Sequence, residues 1–350
     1  MTIQQIVDPG KIEPELMKLW DRLAKEKMRA CLFNLIVFNK LSPRTDYIRG
    51  IVQKVSEKYP CRVLFISSDP ECTRSYLKTA VSVVGDGTIA CDYIDIGVSG
   101  AEMERVPFVL LPHIIPDLPV SLLWTEDPSI PHPLFSPLSK LATRIIFDSE
   151  SADSLLAFSQ KALSLREENR IDTADLNWAR TQGWRDLIAS LFRSGERLDQ
   201  IKEIRITYNS RQTESFCHLK VQSMYLLAWI ASRLNWTFEK VSKNFEFIFQ
   251  KQRGEITSLE WDKLGSGTII SVDISTFDEY FYHCARSKDH YHQVKIKISS
   301  PEKCELPYHF VLGQTATGQS LVKEIITKGT SVHYLDMLKK LQQLDQDQVC

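Results

Sequence analysis

The sequence has no excess of charge of either sign: 43 lysines and arginines face 44 aspartates and glutamates, for a formal net charge of −1. A chain so balanced projects no overall field toward phosphate backbones or anionic lipid, which argues against nucleic acid as its main partner. It also lacks a cysteine framework. Its eight cysteines (Cys31, Cys61, Cys72, Cys91, Cys217, Cys284, Cys304 and Cys350) are scattered, with no C-x-x-C pair, and read as thiols of a reducing compartment. Cys350 alone is expected to be exposed enough for mixed disulfides.

Long uninterrupted apolar runs are missing too. The most apolar stretch, Val106 to Trp124, is broken by Pro107, Pro112, Pro116, Asp117 and Pro119, so no bilayer-spanning helix fits there. The first thirty residues carry charges from Asp8 to Arg29 across a helical pattern and have no signal-peptide core. These features predict a soluble, cytoplasmic protein. No internal repeat or low-complexity tract is present, and no G-x-S-x-G, H-E-x-x-H or P-loop motif marks a catalytic centre.

What is there is an ordinary globular composition, 43% hydrophobic and 25% charged, on a chain of 350 residues, long enough for two cores. Ile12, Leu16, Leu19, Trp20 and Leu23 fall at helical spacing, with Pro14 tolerated in the first turn. Cys31 to Phe38, Arg62 to Ile66, Val120 to Trp124 and Arg144 to Phe147 are nearly continuous apolar runs, the pattern of strands covered on both faces. Thr88 to Ile96 alternates like a half-buried strand, and Tyr47 to Tyr59 reads as helix. Strands alternating with helices predict a three-layer α/β domain with a mainly parallel sheet over residues 1–170.

The polar stretch Ser164 to Asp175 is taken as the boundary. Beyond it, Trp184, Leu187, Ile188, Leu191 and Phe192 share a helix face, and Ser215 to Leu234 reads as a helix buried between layers. Short alternating segments from Val241 to Ile298 predict an antiparallel sheet, and Gln319 to Lys328 and Ser331 to Leu344 return to helix. The expected second domain, residues 171–350, is therefore α+β.

Three patterns carry possible chemistry. Gly85, Gly87 and Ala90 fit G-x-G-x-x-A, but the segment after them alternates like a strand, so a glycine hairpin turn is the better reading and no nucleotide cofactor is expected. Asp69 and Glu71, Glu126 and Asp127, and Asp148 and Glu150 gather where parallel strands should end. Such acids either cap the following helix or form a catalytic edge for a sugar-phosphate enzyme, the alternative reading. His283, Cys284, His290, His292, Cys304 and His309 form a His/Cys-rich region without zinc-like spacing; His290 and His292 are expected on one strand face, and no metal is expected.

Several strings stand out together: RACLFNLIVF from Arg29, YPCRVLFI from Tyr59, VPFVLLPHIIPDLPVSLLW from Val106, DLNWARTQGWRDLIASLF from Asp175 and YLLAWIASRLNW from Tyr225. In this order they resemble the OpcA family of glucose-6-phosphate dehydrogenase assembly proteins. The resemblance implies a protein without catalytic residues that binds glucose-6-phosphate dehydrogenase and promotes its active oligomer at the entry to the oxidative pentose phosphate pathway, where the partner uses NADP. The two most specific strings nominate partner-binding residues: Pro116, Asp117, Leu118 and Pro119 in a stiff turn, and Trp178, Arg180, Trp184 and Arg185. In one unbroken helix Trp178 would lie roughly 120° from the apolar stripe and face a partner or the other domain.

Overall fold

The computed structural model describes residues 5–344 except 24, 25, 86, 193, 194, 196, 215–217, 243 and 314–317. The chain divides into two compact units, one of residues 1–151, 164–176 and 317–329, the other of 152–163, 177–316 and 330–350.

The first unit begins with β1 Gln5–Val7, α1 Ile12–Leu23, β2 Met28–Arg29, β3 Asn34–Lys40, α2 Thr45–Lys58, β4 Arg62–Ser68, β5 Tyr76–Val84 and β6 Ile89–Ser99. It continues with α3 Val106–Leu110, β7 Val120–Trp124, α4 Phe135–Leu141, β8 Arg144–Phe147, α5 Leu155–Asn169 and β9 Asp172–Asp175, α5 running across the division between the units. The strands form one sheet in the order β1-β5-β6-β4-β3-β7-β8-β9, with β2 also paired to β6. From β6 to β9 every pair is parallel, while β1–β5 and β5–β6 are antiparallel.

The apolar runs are strands because both of their faces are buried. Leu35, Val37, Val63, Phe65, Leu123 and Ile146 join Ile48, Val52 and Val55 of α2 and Leu321 of the helix Gln319–Ile326 in one core. The alternate residues Phe38 and Trp124 stack on the other face at 4.1 Å, with Phe135 of α4 edge-on to Trp124 at 4.8 Å. The mainly parallel α/β expectation holds. Two details differ. Strand β6 is buried along most of its length rather than on alternate residues, with β4 and β5 paired to its two edges. The polar stretch 164–175, expected as the boundary, is built of the end of α5 and the strand β9.

The second unit contains α6 Leu176–Arg180 (from residue 177 on), α7 Gln182–Leu191, β10 Ile201–Asn209, α8 Val221–Arg233, β11 Phe238–Val241, β12 Glu246–Phe249, β13 Arg253–Leu259, β14 Ile269–Thr276, β15 Phe281–Arg286, β16 Gln293–Ser299 and β17 Tyr308–Val311. The chain then gives α9, the helix Gln319–Ile326 already placed in the first unit, and ends the described structure on α10 Val332–Leu344. The second sheet runs β11-β12-β13-β10-β14-β15-β16-β17 and is antiparallel except for β10–β13. Helix α8 is apolar almost all round because it lies between this sheet and α10. Gly254 of β13 lets α8 come close: a Cβ there would meet Leu227 Cδ1 at 2.7 Å. The opposite sheet face carries the polar half of each strand's alternation, with Arg205, Asp273, His283 and Lys297 in successive register.

Candidate functional site

Numbered by first appearance, the parallel core β6-β4-β3-β7-β8-β9 has the order 3-2-1-4-5-6, and folds so wound bind ligands beyond the carboxyl ends of the strands where the order reverses, here between β3 and β7. Dinucleotide-binding members cradle pyrophosphate there on a glycine-rich turn after the first strand. In this chain the turn is Leu41, Ser42, Pro43 and Arg44, without glycine.

The position is filled from within. Arg44, just before α2, is buried, and its Nη2 donates to Asp148 Oδ2 at 2.5 Å and to Glu150 Oε2 at 3.1 Å. The Lys40 backbone N–H, which an incoming anion would use, donates instead to Glu126 Oε1 at 3.1 Å. Burial pushes the Glu126 carboxyl above its ordinary range, against the pull of Lys40 and Arg44. A carboxylate already holds the first amide and two more hold the guanidinium, so these residues do not fit a dinucleotide pyrophosphate.

Two further acids of the edge, Asp127 and Asp69, cap turns. Asp127 Oδ1 accepts from the N–H and hydroxyl of Ser129 at 2.8 and 2.6 Å. Asp69 accepts from the N–H groups of Glu71 and Cys72 and from the Tyr76 hydroxyl. The glycines of the G-x-G-x-x-A string sit between antiparallel strands β5 and β6, where Gly85 and Gly87 take φ of 159° and 96°.

The turn Pro116, Asp117, Leu118 and Pro119 lies at the opposite, amino-terminal edge of the sheet. Asn34, fully buried at the start of β3, pins the segment leading into it: its Oδ1 accepts from Ile115 N at 2.9 Å, and its Nδ2 donates to the carbonyls of Ile115 and Leu118. Pro116, Asp117 and Pro119 are exposed, Leu118 is half-buried, and Asp117 adopts φ of 64°. Upstream on the same segment Phe108 and Leu111 are 79% and 56% exposed. The sequence reading passed over these two, although F-V-L-L inside a proline-rich run was the visible signal.

The second nominated group is placed differently. The helix is interrupted at Thr181, between α6 and α7, so the angular argument for Trp178 does not apply. Trp178 is buried, 5.6 Å from the Tyr334 ring, and the Arg185 guanidinium lies over its indole, 3.4 Å from the ring centroid, while donating to the Trp178 carbonyl at 2.7 Å. Trp184 is buried, Arg185 is 8% exposed, and half-buried Arg180 donates to Asn177 Oδ1 at 2.9 Å. Trp178 and Arg185 thus pack together across the α6–α7 break, where Arg185 also donates to the Thr181 hydroxyl.

His283 and Cys284 point to opposite faces of β15, and His290 and His292 lie in the turn before β16 rather than on a strand. Among the described residues no group of three or more His, Cys, Asp or Glu could hold a metal. Six of the cysteines are described and all are free thiols; Cys217 and Cys350 lie outside the described residues. No described helix is long and apolar enough to cross a membrane.

Comparison with known proteins adds the following. Residues 52–164 match the family described as the glucose-6-phosphate dehydrogenase subunit N-terminal domain, and residues 171–349 match the corresponding C-terminal domain. A protein of Nostoc punctiforme that carries the name OxPP cycle protein OpcA is 27% identical over 262 residues, 68% of this chain and 53% of that one. Its namesake in Synechococcus elongatus is 29% identical over 205 residues, 54% of this chain and 43% of that one. The match thus spans about half the length of these curated relatives. Among solved structures, the aldose-aldose oxidoreductase of Caulobacter crescentus aligns with a TM-score of 0.51 at 12% identity, over 89% of this chain and 95% of that one. At that identity the likeness is one of fold.

Proposed function

This chain belongs to the OpcA family, and from that premise we propose that it is a non-catalytic protein partner of glucose-6-phosphate dehydrogenase that favours the enzyme's active oligomer. Such a partner supports the oxidative pentose phosphate pathway and works in the cytoplasm beside the NADP-dependent enzyme. The observation that carries the non-catalytic part is the filled crevice. The fold is that of oxidoreductases, yet Arg44, Asp148, Glu150 and Glu126 occupy the place where a dinucleotide would bind.

An effector without catalytic groups acts by binding the active form of its target more tightly than the inactive form. A tenfold preference corresponds to about 1.4 kcal/mol, within reach of a modest interface with a few aromatic and apolar anchors. In this reading the turn Pro116 to Pro119, with Phe108 and Leu111 beside it in sequence, makes the contact. Trp178, Trp184 and Arg185 hold the second unit's shape, with Arg180 at its margin.

The test is the rate of NADP reduction by the cognate dehydrogenase at limiting glucose 6-phosphate, titrated with this protein while light scattering follows mass. Saturable activation with an increase in mass is expected, weakened about tenfold by Phe108→Asp. No binding and no change in rate would overturn the reading.

A further inference from the structure

The open face of the second sheet pairs some of its charges, Arg205 with Glu255 and His283 with Asp273, but not the lysines at its β15–β16 side among the described residues. Strands β15 and β16 place His283 opposite Lys297 and Ala285 opposite Lys295, and β17 places His309 opposite Lys295. All five side chains fall on the polar side of the alternation, with Ala285 as a low floor between taller neighbours. The result is a hollow of about 230 Å³ lined by His283, Ala285, Arg286, Ser287, Lys288, Lys295 and Lys297.

Three of these cations lack counter-charges. Among the described residues no carboxylate lies within 4.0 Å of Lys288, Lys295 or Lys297, although Asp289 follows Lys288 in sequence. Asp273, in register with His283 on the neighbouring strand, is engaged by His283 Nδ1 at 2.5 Å. Arg286, next on β15, does not present its charge to this face. Its guanidinium turns to the buried face, donating to the carbonyls of Ile269 and Tyr291 at 2.6 Å each and meeting no carboxylate there among the described residues. Burial without a counter-ion pulls its pKa down to about 10, so it stays charged at neutral pH. The bond to Tyr291 also fastens the β15–β16 turn that carries Lys288, which fixes one wall of the hollow.

We propose that this hollow binds a phosphoryl group, as free phosphate or as the monoester of a small metabolite. A lining of three lysines and an imidazole matches a compact multivalent oxyanion, whose charge-assisted hydrogen bonds are shorter and stronger than neutral ones. Its volume is below the roughly 300–1,000 Å³ of pockets for drug-sized ligands, which favours a small anion over a dinucleotide. The site is independent of the dehydrogenase reading and can stand or fall without it.

The experiment is calorimetric titration of the full chain with inorganic phosphate, with a hexose 6-phosphate and with the unphosphorylated hexose. Each is repeated on the Lys295→Ala/Lys297→Ala variant and on Lys297→Gln. Both lysines are exposed, so thermal melts of the variants are expected to match the parent. The expected result is saturable binding of the phosphorylated compounds only, weakened at least about tenfold in the double variant and by added salt. Tighter binding of the ester than of phosphate would identify a metabolite as the ligand, and equal binding would identify free phosphate. Absence of saturable binding at millimolar concentrations, or equal binding by the double variant, overturns the proposal, as does binding confined to an acidic peptide such as polyglutamate.

Discussion

At the carboxyl ends of β3 and β8 in the first unit, Arg44 meets two carboxylates at 2.5 and 3.1 Å; on the open face around β15 and β16 in the second, three lysines meet none among the described residues. Both are clusters of charge, and net charge alone would not distinguish them. What separates them is whether the protein supplies the counter-charge itself. A buried group whose partner comes from its own chain is committed to structure, because removing either member strands the other in a medium of low dielectric. An exposed group with no partner keeps its attraction for something else.

Substitutions can break or sharpen that contrast. The largest effect is expected for Arg44→Met, which removes a buried guanidinium from Asp148 and Glu150 and should destabilise the protein by about 3–5 kcal/mol in urea unfolding. A loss below about 1 kcal/mol would mean that the crevice is not held together by its charges. Arg286→Met should cost less, about 1–3 kcal/mol, since it deprives two backbone carbonyls of a donor but strands no carboxylate. Equal costs for the two substitutions would erase the distinction drawn here.

The smallest effect is a slope with pH. Burial pushes the Asp92 carboxyl up, but Arg29, Arg62 and the Trp20 indole N–H overcompensate and hold it below its ordinary 3.8. A depressed acid contributes stability that is present above its unfolded pKa and lost as pH falls through its folded one. Denaturant midpoints should therefore drop below about pH 4, by at most about 1.4 kcal/mol per pH unit for this one group. Asp92→Asn should flatten that limb, and an unchanged limb would show that Asp92 is not the group responsible.

Much of the first unit was legible because full burial leaves an obvious trace: the runs that became β3, β4, β7 and β8 have few polar interruptions. The elements missed lack that trace. In β10 the buried residues Ile201, Ile204 and Ile206 break period two, since the strand shifts register between Ile201 and Glu203. In β9 the buried set is Thr173, Ala174 and Asp175, and Asp175 is tolerated because Ser149 donates to it through both N–H and hydroxyl.

Sites followed the same division. The K-I-K spacing of Lys295 and Lys297 was visible in the sequence, but their alignment with His283 and Ala285 depends on strand pairing that no local pattern encodes. The Arg44 plug joins residues about a hundred positions apart and left no local signal either.

Helix α9 has a consequence for how the protein is made. It supplies Leu321 to the first core and Glu324 to Arg144, at 3.0 Å with both side chains buried. Yet it leaves the ribosome about 140 residues after β9, and contacts that distant in sequence are slow to form. During synthesis the first unit must therefore wait, its sheet assembled but Arg144 without its carboxylate and the floor beside α2 uncovered. A fragment ending just after β9, near residue 176, would remain in that unfinished state.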